Sequence, residues 1–331
     1  MIAALVPAYN ADRHLRDCLD SLLAQTEPVE IWCCDDGSAD TTRAILMEYS
    51  LRCPRMHFLT QRNRGVCAAL NRLLDELPDD IEYFMIVDAD DYVHPKMAAV
   101  LQEALLKTGS DVAECGIVRV PDGACQPGGL SLDVTGTEQV IDNLSVYLLK
   151  RTAPSTCWIN KNAKLYRRAA VRSLRFREGL AFEEDYFYGC EVNAAISRKV
   201  IVPYGFYAYR DNPASVTHVL NHRRYFESAS LRVRLTCEVF LATGRIPLEL
   251  EREFRKDLTK DIYRMCIRKN LKKNRDCAER QRIFQRAGDL LKGLEHDFGF
   301  VSTGLNPIQW LIWNCCRQGH YTTASALVYL T

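Results

Sequence analysis

The chain has 331 residues, which is enough for one large domain or two smaller ones. Its 43 Lys and Arg residues nearly balance 42 Asp and Glu residues, which argues against a dedicated nucleic-acid-binding protein. The 14 cysteines are scattered and show no C-x-x-C spacing, so they predict reduced, mostly buried thiols of a cytosolic protein. We find no basic leader at the N-terminus and no apolar stretch near the ~18–20 residues that span a bilayer.

Short apolar runs alternate with helical spacing over the first 115 residues. Runs without polar interruption are typical of parallel strands that are buried on both faces. The helices between them show apolar residues three and four positions apart, and Ser38 or Asp40 could cap the second of these helices. The sequence therefore predicts an α/β fold with a mostly parallel sheet and helices on both faces. The predicted strands are Ala3–Val6, Glu30–Cys34, Met56–Leu59, Tyr83–Val87 and Asp111–Cys115.

The composition and the residue periodicity of the chain change twice after this region. Residues 121–136 are rich in Gly, Pro and Asp and predict a loop or a hairpin. Helices mix with short strands up to about residue 220, and only helical periodicity follows. We therefore predict one domain over 1–220, made of halves 1–115 and 116–220, and a helical C-terminal region over 221–331.

Polar groups follow each of the first four strands. In an open parallel sheet, ligands bind at the carboxyl ends of the strands, so these groups converge on one crevice. The fourth strand ends in three carboxylates, and clustered acids at the end of a buried strand are explained by a bound divalent cation. Mg²⁺ and Mn²⁺ often bridge such carboxylates to substrate phosphates. The four segments are Pro7-Ala8-Tyr9-Asn10, Asp35-Asp36-Gly37-Ser38, Asn63-Arg64-Gly65 and Asp88-Ala89-Asp90-Asp91.

Other phosphate-binding folds are not supported by the same residues. A dinucleotide-binding domain needs glycines after its first strand, where this chain has Pro7-Ala8-Tyr9. The chain lacks a G-x-x-x-x-G-K-[ST] loop, and it also lacks the glycine-rich basic loop of a sugar nucleotidyltransferase.

In their order, the four segments resemble the signature of family 2 glycosyltransferases with the GT-A fold. Later segments add to the resemblance, which covers about residues 2–220. The first is similar to the acidic motif on the acceptor side of that family, and the second is similar to a basic motif that follows it. They are Phe176-Arg177-Glu178-Gly179 with Glu184-Asp185, and Tyr209-Arg210 with Ser215-Val216-Thr217-His218.

The resemblance implies a nucleotide-sugar donor. Tyr9 would stack on the base, and Asp35 would accept a hydrogen bond from uracil N3–H, which favours a UDP-sugar. Asp88 would contact ribose or metal, and Asp90 would bind Mn²⁺ or Mg²⁺. The simpler alternatives are that Tyr9 is an ordinary rim aromatic and that Asp35 or Asp36 caps the next helix. The remaining donor-binding residues implied are Pro7, Ala8, Asn10, Asn63, Gly65, Ala89 and Arg210.

On the acceptor side, the resemblance implies that Asp185 is the base that takes a proton from the attacking hydroxyl. A single base with in-line displacement inverts the anomeric centre. Asp185 could instead be only a helix cap, in which case Glu183 or Glu184 would be the base. Arg210 and His218 would place positive charge near the diphosphate, with His218 also reaching the metal, although a lone histidine is often structural. The resemblance also assigns Trp158, Lys164 and Glu184 to the acceptor region. For Trp158 and Lys164 the alternative is ordinary packing and a solvated lysine.

These residues predict a metal-dependent inverting glycosyltransferase. The resemblance implies that it would move a sugar from the donor to a hydroxyl of a glycan or lipid-linked saccharide, as in the synthesis of a bacterial surface polysaccharide. The alternative is a non-catalytic relative that binds a glycan or a partner protein. Basic residues from Arg264 to Lys273, with Trp310 and Trp313, predict contact of the C-terminal helices with an anionic membrane surface or a second copy of the chain. The expected location is the cytoplasm, including the inner face of the cell membrane.

Overall fold

The computed structural model describes residues 1–125, 137–142, 161–180, 183–211, 222–241, 248–268, 277–300 and 305–320. The chain forms two compact units, which are residues Met1–Pro213 and Ala214–Thr331. The first unit contains a nine-stranded sheet with helices packed on it. All described elements of the second unit are helical.

The strands and helices of the first unit alternate at the beginning of the chain and then become mixed. In chain order they are β1 Ile2–Ala8, α1 Leu15–Leu23, β2 Val29–Asp35, α2 Thr42–Arg52, β3 Met56–Thr60, α3 Val66–Glu76, β4 Tyr83–Ile86, β5 Tyr92–Val93, α4 Met97–Thr108, β6 Val112–Pro121, β7 Gln139–Asp142, β8 Lys164–Arg167, α5 Arg168–Val171, α6 Glu184–Ala195 and β9 Arg198–Asp211.

The first four long strands form the parallel half of the sheet. Their order is β3-β2-β1-β4, and every neighbouring pair is parallel. Helices connect these strands, as expected for parallel pairs, whose connections need a crossover of a dozen or more residues. The carboxyl ends of the four strands therefore lie along the same edge of the sheet, where the sequence predicts the crevice.

The other half of the sheet is mixed. Strand β8 runs antiparallel between β4 and β6, and β9 pairs with β6 in parallel. The short strands β5 and β7 pair with β9 in the antiparallel direction. The antiparallel strands were not predicted, and β6 is longer than the predicted strand Asp111–Cys115 because it continues to Pro121.

Apolar side chains fill both faces of the sheet because buried strands alternate their side chains between the two sides. On β1, Ala4 and Val6 pack in the cluster that also contains buried residues of α1, α2 and α4. Ala3 and Leu5 pack on the opposite side, with residues of α3 and α6. The predicted α/β fold with helices on both faces is confirmed.

The second unit contains four described helices and one wider helical turn. They are α7 His222–Phe240, α8 Leu248–Ile262, the π-helical turn Tyr263–Arg268, α9 Cys277–Phe298 and α10 Pro307–Gln318. In the part of the chain that the structure describes, no helix has the length and apolar character needed to cross a bilayer. Of the twelve cysteines described as free thiols, ten are buried.

Candidate functional site

The loop after β1 is joined to the loop after β2 by hydrogen bonds. Asn10 has a positive φ of 47°, a backbone conformation that Asn tolerates better than most residues. Its backbone N–H donates to Ser38 Oγ at 3.0 Å, and its Oδ1 accepts from the Ala39 N–H at 2.9 Å. Ser38 therefore does not cap α2. That function falls to Asp40, whose Oδ1 accepts from the Thr42 N–H at 2.9 Å.

Two acidic residues at the end of β2 have different partners. Asp35 is buried, and its Oδ1 accepts from the Ser38 N–H at 2.9 Å within its own loop. Asp36 accepts hydrogen bonds from the backbone N–H groups of Arg64 and Gly65 at 2.9 and 2.7 Å. Asp36 therefore holds the Asn63-Arg64-Gly65 loop at the start of α3, rather than the helix after β2.

Gly37 is required by the close approach of these two loops. It has a φ of +75°, and a Cβ atom built on it would lie 2.8 Å from the backbone nitrogen of Asn63. Any other residue would clash with backbone that cannot move without displacing the loop. Asn63 is exposed, whereas Pro7 is half-buried and Ala8 is buried.

Tyr207 of β9 holds the acidic turn after β4 in place with two hydrogen bonds. The backbone N–H of Asp88 donates to Tyr207 Oη at 3.1 Å, and Tyr207 Oη donates to Asp91 Oδ2 at 2.7 Å. The Arg210 backbone N–H donates to Asp91 Oδ1 at 2.8 Å. Burial, with the charges of Asp88 and Asp90 nearby, raises the pKa of Asp91 to about 8. Asp91 therefore stabilises the turn from its buried side, through the hydrogen bonds that it accepts from Tyr207 and Arg210.

Arg210 is placed differently from the expected contact with a diphosphate. Its side chain is fully buried, and its Nε donates to the carbonyl oxygen of Asp90 at 2.8 Å. Its Nη2 forms an ion pair with Asp17 at 3.0 Å. A guanidinium that is held by these groups supports the shape of the acidic turn, and the structure gives it no open face toward a donor.

Asp185 lies in the first turn of α6 and is joined to Lys161. The Nζ atom of Lys161 is 3.0 Å from Asp185 Oδ1 and 3.2 Å from Asp88 Oδ1. Burial lowers the pKa of Lys161, but the charges of Asp185 and Asp88 outweigh it and raise the pKa above its ordinary value. Lys161 is therefore a buried ammonium that links the end of β4 to the start of α6.

Glu184 neighbours this ion pair, and Glu183 precedes the helix. Burial, with the charge of Asp185, raises the pKa of Glu184 above its ordinary value. Glu183 occupies the N-cap position with a positive φ of 70° and makes no side-chain cap. Asp185 lies inside the helix, so the alternative that it is only an N-cap is wrong.

Lys164 does not face an acceptor cleft, which corrects the prediction from the sequence. It is buried, and its Nζ lies 3.6 Å from Glu114 Oε2. Lys199 is also buried and pairs with the same carboxylate. Burial raises the pKa of Glu114, but the two lysines outweigh this effect and lower it. Lys164 belongs to a buried ion cluster because β8 lies in the interior of the sheet.

The three carboxylates after β4 differ in burial and in their partners, and therefore in how readily each could bind a cation. Asp91 is buried against Tyr207, and Asp88 meets Lys161 and Asn162, while Asp90 is half-buried. Within the described ranges, no group of three or more His, Cys, Asp and Glu side chains could hold a metal ion. Mg²⁺ is commonly held by one or two carboxylates with substrate phosphates completing its shell, and Asp90 with Asp88 fits that pattern.

Two predicted site residues, Trp158 and His218, lie outside the described residues. Conversely, the sequence did not reveal Lys161, Asn162 or Tyr207. Asn162 Nδ2 donates to Asp88 Oδ2 at 2.7 Å, beside the ion pair of Lys161. Lys161 and Asn162 come just before β8. Because β8 is antiparallel to β4, the start of β8 lies beside the carboxyl end of β4, and this brings the two residues to the site. No local pattern in the sequence indicates that pairing.

The fold is shared with a solved structure. The chain aligns with S. aureus TarS 1–349, solved in complex with UDP-GlcNAc, with a TM-score of 0.74 and 16% sequence identity. The alignment covers 99% of this chain and 90% of the TarS chain. At this identity the comparison establishes the fold alone. It is the GT-A glycosyltransferase fold, with the acidic turn at the carboxyl end of the parallel strands.

Sequence comparisons identify the family of the N-terminal part of the chain. Residues 3–164 match the family described as glycosyl transferase family 2. "Uncharacterized glycosyltransferase YibD" of Escherichia coli is 25% identical over 350 residues, which is 98% of this chain and 97% of YibD. "Glycosyltransferase GlyA" of Streptococcus pneumoniae is 29% identical over 66% of this chain, which spans only 32% of GlyA. Residues 3–164 therefore form a glycosyl transferase family 2 domain, and the named relatives support a glycosyltransferase enzyme.

Proposed function

We propose that the enzyme transfers a sugar from a UDP-sugar to a hydroxyl of a glycan or lipid-linked saccharide, with inversion and with a divalent cation. One observation carries the proposal: buried Lys161 lies within 3.0–3.2 Å of both Asp88 at the end of β4 and Asp185 at the start of α6. A donor-side carboxylate and a candidate base therefore meet at one point. The TarS complex with UDP-GlcNAc supports a nucleotide-sugar donor on this fold.

The donor would lie along the ends of the parallel strands. The Tyr9 side chain is 52% exposed and has room to stack on a nucleobase. Asp35 would accept from uracil N3–H with the carboxylate oxygen that does not bond Ser38. Asp90, with Asp88 or His218 as a further ligand, would hold a divalent cation, which would stabilise negative charge on the departing diphosphate as a Lewis acid.

Asp185 would act as the general base. It takes the proton of the acceptor hydroxyl, and the oxygen attacks the anomeric carbon from the side opposite the diphosphate. The bond from that carbon to the diphosphate oxygen breaks, and its electron pair leaves with UDP. One displacement inverts the anomeric centre, whereas retaining hydrolases use a second carboxylate as a nucleophile.

The test replaces the proposed base without changing its size. We expect Asp185→Asn to lower kcat by about 10²- to 10⁴-fold, because the general base is lost, and to leave the Kd for the donor nearly unchanged. UDP release with a panel of saccharide acceptors measures kcat, and titration calorimetry with UDP measures donor binding. Glu183→Gln and Glu184→Gln are the matched controls. If either control loses activity while Asp185→Asn retains it, then Asp185 is not the base.

A further inference from the structure

The side chain of Lys161 is buried, on the interior side of the carboxylates of Asp88 and Asp185. Its side chain is 5% exposed, whereas those of Asp88 and Asp185 are 26% and 33% exposed. The buried ammonium group contacts both carboxyl oxygens of Asp88, at 3.2 Å each, and both of Asp185, at 3.0 and 3.3 Å. A group in this position is suited to hold the carboxylates in place and not to meet the substrate.

The backbone of Lys161 is itself held in place. Tyr166 Oη donates to the Lys161 carbonyl oxygen at 2.8 Å, and the Tyr166 side chain is buried. The next residue, Asn162, donates to Asp88 at 2.7 Å. Because β8 pairs with β4, the segment that carries both residues is fixed to the core of the sheet.

The two carboxylates need such a link. Asp88 and Asp185 belong to elements that are about a hundred residues apart in sequence, and two anions that approach one ammonium repel each other. A buried charge is tolerated only where it is paired, so the position of Lys161 depends on both partners and theirs depends on it.

We infer that Lys161 is a positioning residue that fixes the separation between the donor-side carboxylate Asp88 and the base Asp185, an inference that rests on the proposed function. Asp185 must lie within hydrogen-bond distance of the acceptor hydroxyl while the donor lies against Asp88. Lys161 makes these two requirements compatible through a single ammonium group. It would act through these two carboxylates rather than by direct contact with the reacting atoms or the donor.

Lys161→Met tests this inference, with Lys199→Met as a matched control. Both lysines are buried and paired with carboxylates, but the described partner of Lys199 is Glu114, outside the site. We expect both variants to lower the melting temperature. Only Lys161→Met should lower kcat for UDP release, by about 10- to 100-fold, because a misplacement of about 1 Å can cost that much. The donor KM should change less than about threefold.

Lys161→Arg covers the case in which Lys161→Met does not fold. Arginine keeps the buried charge but directs its hydrogen bonds with a different geometry, so we expect near-normal stability with a reduced kcat. If kcat stays normal in the folded Met or Arg variant, Lys161 has only a structural role. If the donor KM rises and kcat is unchanged, it holds the donor instead, and the inference is wrong.

The same assays distinguish a failure of the proposed function from a failure of the inference about Lys161. If the wild-type enzyme releases no UDP from any UDP-sugar, the proposed function fails and the inference fails with it. If the wild type is active and Asp185→Asn is inactive, but Lys161→Met keeps its kcat, the proposed function stands and the inference alone is overturned.

Discussion

Tyr9 is a large aromatic residue at the end of β1 whose side chain is 52% exposed, next to the buried Ala8. We expect Tyr9→Ala to weaken UDP binding about 5- to 30-fold, since stacking of a base on an aromatic ring is worth about 1–2 kcal/mol. Titration calorimetry measures the change. Tyr9→Phe keeps the ring and should bind UDP almost as well as the wild type. Equal binding by the Ala variant would show that Tyr9 is an ordinary surface aromatic.

The sequence could indicate which polar residues follow the strands, but not which partners they have. Asp35 and Asp36 are adjacent and chemically identical, yet one bonds its own loop and the other holds the loop that begins α3. Lys164 and Lys161 are equally plausible candidates in the sequence, and only the pairing of β8 places the first in the core and the second beside Asp88. Long-range contacts of this kind leave no local pattern.

At the scale of elements, Asn71 connects α3 to the segment before α6. Its Nδ2 donates to the Phe176 carbonyl oxygen at 2.8 Å, and its Oδ1 accepts from the Phe176 N–H at 2.7 Å. The Phe176 ring stacks on Tyr188 of α6 with centroids 3.9 Å apart. One amide side chain thus contributes to the position of the helix that carries Asp185.

We expect Asn71→Ala to lower the free energy of unfolding by about 2–3 kcal/mol, because it leaves both backbone groups of Phe176 without their partner. Urea denaturation measures the loss. Glu76→Ala, at an exposed position near the end of the same helix, should change the free energy by no more than about 0.5 kcal/mol. Equal losses in the two variants would show that the bridge to Phe176 does not explain the effect.

Elements with local signatures were predictable, and elements defined by distant partners were not. The strand β1 is apolar throughout, and α3 repeats apolar residues at helical spacing, so both were predicted near their observed positions. By contrast, β5 has only two residues, and β8 consists of the residues KLYR, without strand-like alternation over a useful length. These strands form because β4, β6 and β9 supply their hydrogen bonds.

The whole molecule consists of two compact units that divide between Pro213 and Ala214, close to the boundary that the change to helical periodicity suggests. The described donor-side and acceptor-side residues all lie in the first unit. In the second unit, Trp310 of α10 is 55% exposed, and contact of these helices with an anionic membrane or a second copy of the chain stays a prediction. The side chains of Arg264 and Arg268, which contributed to that prediction, lie outside the described residues.

Because the chain has two units, scanning calorimetry of the full chain can show which unit a nucleotide sugar and a cation stabilise. A ligand at 100 times its Kd stabilises the unit that binds it by about 2.7 kcal/mol, or about 5–10 °C for a unit of this size. We expect a UDP-sugar with Mn²⁺ or Mg²⁺ to raise the transition of residues Met1–Pro213 and to leave a separate transition of the helical unit unchanged.

The cation requirement is isolated by removing either the metal or its proposed ligand. EDTA should abolish the shift caused by the UDP-sugar, and Asp90→Ala should abolish it even with excess Mn²⁺, because the diphosphate then lacks its link to the end of β4. Asp289→Ala removes an exposed carboxylate from α9 of the other unit and should keep the full shift. A shift that persists in EDTA would contradict the cation's role in donor binding, and a larger shift with GDP-sugars than with UDP-sugars would contradict the assignment of Asp35 to uracil.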